Sequence, residues 1–157
     1  MKLIEGDGGR FVFQLGKREK RLLFEILKLY PLVSASYQKL TKTGGPPDLQ
    51  ASQQLLEESL AAQKRENRKQ LQAMLNEEGR FQEIQAGIRF SLDVSQAEWL
   101  LQVLNDIRVG SWLALGSPDE KKGKPIQLNE KNVHYLLAME VSGQFQMALL
   151  EAFDRPA

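Results

Sequence analysis

Asn105, Asp106 and Arg108 interrupt the most apolar stretch of this 157-residue chain, and polar residues in such a setting need partners. The stretch, SQAEWLLQVLNDIRVGSWLALG at 95–116, spreads its Trp, Leu, Ile and Val residues round most of a helical circumference, as a buried central helix does. Asp106 and Arg108 are two apart and face different sides of a helix. Each therefore calls for a partner from another segment: Arg89 suits Asp106, and Glu140 suits Arg108. Two readings stay open. The group is either a buried ion network that locks helices and strand together, or a patch that binds a ligand or another protein.

Other residues with chemical potential are few. His134 is the only histidine and follows Glu130 by four, so the two share a helical face. A metal site built on them needs further ligands, and carboxylates would have to supply them, as in a carboxylate-based Mg²⁺ or Mn²⁺ enzyme. A structural histidine is the default reading. The chain has no cysteine, which excludes disulfides, thiolate metal sites and cysteine nucleophiles. No Gly-x-Ser-x-Gly elbow is present, and nothing in the spacing of the 20 Asp and Glu residues selects a catalytic pair. No catalytic, metal-binding or cofactor-binding residue is assigned, and the chain reads as a non-enzymatic protein.

Charge is unevenly placed. Residues 1–42 carry nine Lys and Arg against four Asp and Glu, a local excess of +5 in a chain whose net charge is +1. Lys17, Arg18, Lys20, Arg21 and Lys28 supply most of it, on one predicted helix. A solvated helix face is the default, and a surface for nucleic acid or another polyanion is the alternative. No apolar run is long enough to span a bilayer, and the N-terminal residues do not form a signal peptide. The absence of cysteine suits a reducing cytoplasm.

These residues must be positioned by a single domain, the default at this length. Residues 1–15 read as a β-hairpin: KLIE and RFVFQL flank Gly6-Asp7-Gly8-Gly9, which supplies the positive φ angles of a tight reversal. GDGG lacks the strand–loop–helix setting and the Lys-Ser/Thr ending of a phosphate loop. A helix follows over 17–37 with a break at Pro31, then a Pro/Gly linker at 41–48. A long helix is predicted over 49–78, apolar at both ends and polar in the middle. There Asn67 sits either on a projecting solvated turn or at the register point of a helix pair, which is compatible with a homodimer.

Residues 81–92 resist assignment, but Ile88-Arg89-Phe90-Ser91-Leu92 alternates as a short strand over 87–92 able to join the hairpin. The central helix is predicted over 96–115, opened by a Ser95–Glu98 capping box and closed at Gly116 ahead of Pro118. Gly110-Ser111 allows close approach of a neighbouring helix. A last helix over 130–153 is capped by Asn129. The fold class expected is mainly α: a four-helix orthogonal or bundle-like domain with a small N-terminal β-hairpin and a third short strand.

The central helix also carries a resemblance. Trp99, Leu100, Leu104, Asn105, Asp106, Ile107 and Arg108, then Leu113, resemble the Trp-Leu-x-x-Leu-Asn-Asp-hydrophobic-Arg helix of a bacterial family of unknown function that contains the AosR-like oxidative-stress regulators. A similar order of elements covers most of the chain, with Ile107 and Val109 where the family pattern has Leu. The resemblance implies a small cytoplasmic regulator that acts through other proteins, in transcription, stress response or proteostasis beside the Clp protease adaptor. Thiol-based oxidant sensing is not open to a chain without cysteine.

Overall fold

A computed structural model describes residues 1–34 and 47–155. The elements run β1 (Lys2–Asp7), β2 (Arg10–Leu15), α1 (Lys17–Leu27), α2 (Pro47–Asn76), β3 (Phe81–Ile84), β4 (Gly87–Asp93), α3 (Val94–Ala114) and α4 (Val133–Asp154). The strands form one antiparallel sheet in the order β1-β2-β4-β3. This corrects the expected helical domain with a hairpin and one added strand. The sheet has four strands, and the unassigned segment 81–92 is itself a hairpin, with Ile84 opposite Gly87.

The sheet forms because two strands alternate in phase. Phe11, Phe13 and Leu15 of β2 lie opposite Leu92, Phe90 and Ile88 of β4, so both strands direct their large apolar side chains to one face. Phe90 is fully buried between Phe13 (ring centroids 6.4 Å) and Phe81 of β3, which stacks on it at 4.6 Å. Rings paired at such distances add about 0.5–1.5 kcal/mol each beyond their burial. Leu23, Ile26 and Leu27 of α1, Leu100, Leu104 and Ile107 of α3, and Ala138, Phe145 and Leu149 of α4 complete the core against that face.

Helix starts and stops depart from expectation in instructive ways. Asp93, not Ser95, caps α3: its carboxylate accepts from the Gln96 amide at 2.7 Å, and the Gln96 side chain accepts from the Asp93 amide at 2.9 Å. The capping chemistry is the one expected, two residues earlier, because Asp93 ends β4 and starts the helix with no loop between. Gly116 closes α3 at φ 88° as expected. Asn129 accepts from the Lys131 and Asn132 amides in the turn before α4, so the helix itself begins only at Val133.

Residues 31–34 are not helical, so no helix resumes at Pro31 within the described residues, and 35–37 lie outside them. Most of the 41–48 linker also lies outside them, while its last two residues, Pro47 and Asp48, already belong to α2. Among its described side chains that helix fully buries Leu71 and Met74, at its C-terminal end, whereas Leu49 and Leu55 are exposed. The expected apolar stripe is fully buried at this end, while Leu56 and Leu60 at the other end are half-buried. No helix among the described residues is long and apolar enough to cross a membrane.

Candidate functional site

Asp106 is the hub of the polar network, but its partners are not those the sequence suggested. One carboxylate oxygen accepts from the backbone amides of Leu32 at 2.7 Å and Val33 at 3.3 Å. The other accepts from Lys64 Nζ at 2.7 Å, and the same ammonium donates to the Val33 carbonyl at 2.7 Å. The pair is largely out of water, with side chains 19% (Lys64) and 11% (Asp106) exposed. One turn further along α2, Arg68 donates to the Tyr30 carbonyl at 2.7 Å and Asn67 donates to the Tyr30 hydroxyl at 3.0 Å.

The polar middle of α2 thus clamps residues 30–33 against α3. Asn67 is not on a free projection: its side chain donates to the Tyr30 hydroxyl. Sequence reasoning missed Lys64, Arg68 and Tyr30. The available signal was that Lys64, Asn67 and Arg68 continue the stripe of Leu71 and Met74 at helical spacing, which marks them as inward-facing.

Burial raises the Tyr30 pKa above its ordinary value, and the Asp106 charge adds to the rise while the Asn67 bond opposes it. The phenol therefore ionises at higher pH folded than unfolded. Its contribution is fully present below about pH 10 and is lost as pH climbs through the folded value. Unfolding free energy measured from pH 8 to 11 should fall more steeply for the wild type than for Tyr30→Phe; equal slopes would remove Tyr30 from the pH response.

Gly110 explains why residues 30–33 come so near α3. A Cβ there would lie 2.6 Å from Leu32 Cγ and 2.7 Å from Leu32 Cβ. The close approach expected at Gly110-Ser111 is real, but the visitor is this segment. Gly110→Ala should destabilise by about 2 kcal/mol net, the collision outweighing the better helix propensity of alanine. Denaturant unfolding reads this directly, and a stabilised variant would mean that Leu32 yields freely.

The other candidate residues fall elsewhere. Arg89 pairs with Glu5 across the sheet at 3.0 Å, so it is no partner of Asp106. Arg108 is exposed, and among the described residues it bonds only Asn105, at 3.1 Å, with no ion pair to Glu140. The five-residue network is thus split three ways: Asp106 in the clamp, Arg89 on the sheet, and Asn105, Arg108 and Glu140 exposed on the α3–α4 face.

Of the basic residues, Lys17, Lys20, Arg21 and Lys28 line one groove with Phe24, in which Glu25 and Glu83 also lie. Arg18 does not line it. Lys20 sits over the Phe24 and Phe81 rings at 5.4 and 4.9 Å, and Lys28 pairs with Glu25 at 2.8 Å. His134 is exposed, its ring 4.0 Å from that of Tyr135. Among the described residues, no three His, Asp or Glu side chains are placed to hold a metal.

No family model, curated protein or solved structure matches this chain. Its own surface must carry the functional argument. The most distinctive surface is the outer side of α4, where Val133, Leu137, Met147 and Leu150 are 49, 54, 62 and 52% exposed. They lie opposite the residues by which α4 joins the core, Ala138, Val141, Phe145, Leu149 and Ala152. Arg108 borders this face, its Cδ 3.9 Å from where a Gly143 Cβ would stand. Trp112, further along α3, is also part-exposed and is tied by its indole N–H to the Pro118 carbonyl at 3.1 Å.

Proposed function

We propose that this chain is a regulatory or adaptor protein that binds another polypeptide through the outer face of α4 and the adjoining edge of α3. The exposed row Val133, Leu137, Met147 and Leu150 carries this reading. A helix buried on one side has no packing reason to be apolar on the other, and exposed apolar side chains gathered on one helix face mark protein contact sites. Asn105 and Arg108 border it on α3, and Glu140 and Gln144 lie between its two apolar groups. The resemblance of the Trp99–Arg108 helix to the AosR-like regulators supports a setting in a bacterial cytoplasm, in transcription or stress response.

A photo-crosslinking amino acid at Met147, activated in cells of the source organism, tests the reading. A discrete protein adduct that survives nuclease is expected. The absence of any protein adduct would sink it.

The groove of Lys17, Lys20, Arg21 and Lys28 favours a second reading, a nucleic-acid-binding regulator, because four cations outnumber Glu25 and Glu83 beside the Phe24 ring. Four phosphate contacts would weaken binding roughly a hundredfold between about 50 and 200 mM salt. An affinity that barely moves over that range would end this alternative.

A further inference from the structure

We infer that the occupant of the α4 face is a second copy of this chain, docked with its own α4 antiparallel to the first. This rests on the reading that the face binds protein, and names the partner. The apolar residues of the face fall into two groups, Val133 and Leu137 near the start of the helix and Met147 and Leu150 near its end. Between them lie Glu140, Gly143 and Gln144. About a two-fold axis near residue 142, the first group of one helix meets the second group of the other, Leu137 against Met147, along a contact about 26 Å long.

Charge selects the direction. A parallel pair would set Glu140 against Glu140 and Glu151 against Glu151, whereas the antiparallel pair separates the like charges, setting Glu140 opposite the Gln144 carboxamide and Glu151 beside Val133 of the second copy. The same symmetry answers the two unpaired charges. Among the described residues, the Arg108 guanidinium bonds only Asn105, and the Glu140 carboxylate bonds nothing. Arg108 lies over Gly143, the neighbour of the Gln144 that the two-fold axis sets opposite Glu140 of the second copy. The ion pair that the chain does not make within itself is made twice across the dimer.

Because the chain has no cysteine, introduced thiols report on this arrangement without background. Residues 137 and 147 are about 15 Å apart along one helix, beyond disulfide reach. The doubly substituted Leu137→Cys, Met147→Cys chain should oxidise to a covalent dimer, and each single variant should not. A single variant that crosslinks as readily as the double overturns the antiparallel arrangement.

Sedimentation equilibrium of the wild type should give twice the 17.8 kDa chain mass. Met147→Glu should weaken the dimer at least about a hundredfold. Arg108→Glu should weaken it about tenfold, and adding Glu140→Arg should restore it. Circular dichroism confirms that each variant is folded. A wild type still monomeric at about 100 µM overturns the inference, since a specific contact of this kind dissociates below that concentration. In that event, an adduct at Met147 with a different protein leaves the protein-binding reading standing, and no adduct ends both.

Discussion

Asp106→Ala should destabilise the folded chain by about 4 kcal/mol. Its carboxylate accepts from two backbone amides and one ammonium. Truncation leaves the amides of Leu32 and Val33 without an acceptor, and each unsatisfied buried donor costs about 1–3 kcal/mol. Lys64 keeps the Val33 carbonyl but loses its counter-charge. At this chain length the loss lowers Tm by roughly 10 °C.

Asp106→Asn should cost less, about 2 kcal/mol, because an amide oxygen still accepts from the backbone while the ion pair is gone. Arg108→Ala should change stability by under about 0.5 kcal/mol, since its side chain is exposed. The contrast divides scaffold from surface within three residues of one helix. Thermal and urea unfolding of the three variants measure it. Equal losses at positions 106 and 108 would show that Arg108 also belongs to the scaffold.

Gly87→Ala should cost about 3 kcal/mol and act on the sheet rather than the clamp. Gly87 sits at φ 140°, where side chains are strained, and a Cβ there would stand 2.6 Å from the Leu15 carbonyl oxygen. That oxygen belongs to backbone and cannot swing aside, because Leu15 is paired with Ile88 in the β2–β4 ladder. Relief requires β4 to shift, which disturbs the Phe13–Phe90–Phe81 stack. Amide exchange should show β3 losing protection first, as the edge strand that only β4 holds. Unchanged stability would falsify the close approach.

The two variants also separate the parts of the molecule that a partner would feel. Neither Asp106 nor Gly87 touches the outer face of α4, so moderately destabilised variants that remain folded should still crosslink at Met147 and sediment as dimers. Met147→Glu should do the reverse, abolishing association while leaving the monomer's own stability, measured at concentrations too low for dimer, little changed, because Met147 is 62% exposed in the monomer.

Local chemistry was legible where one segment contains its own answer. The N-terminal hairpin follows from two short strands around glycines that adopt positive φ at Gly8 and Gly9. Gly116 ends α3 and Pro31 follows the last turn of α1. The facing of α4 was not legible, because the helix is apolar on both sides and the expected core face included Val133 and Leu137, which are exposed. The hairpin of β3 and β4 was not legible. Phe81 and Ile84 are three apart and break the two-residue alternation of a strand. Its reversal at Gln85-Ala86 uses negative φ, so the usual turn residues are missing and Gly87 alone absorbs the distortion.

By itself, the sequence determined that four helices form, that Asn105, Asp106 and Arg108 share one of them, and that no cysteine chemistry is available. Only the tertiary structure decided that Asp106 faces Lys64 rather than Arg89, and that Arg108 and Glu140 stay apart within the chain. The physical reason is that a carboxylate is satisfied by any suitably placed donors, and residue type does not say which distant segment brings them. Here the donors are two backbone amides and a lysine, brought together by Gly110 yielding space to Leu32 and by α2 reaching back across the break after α1.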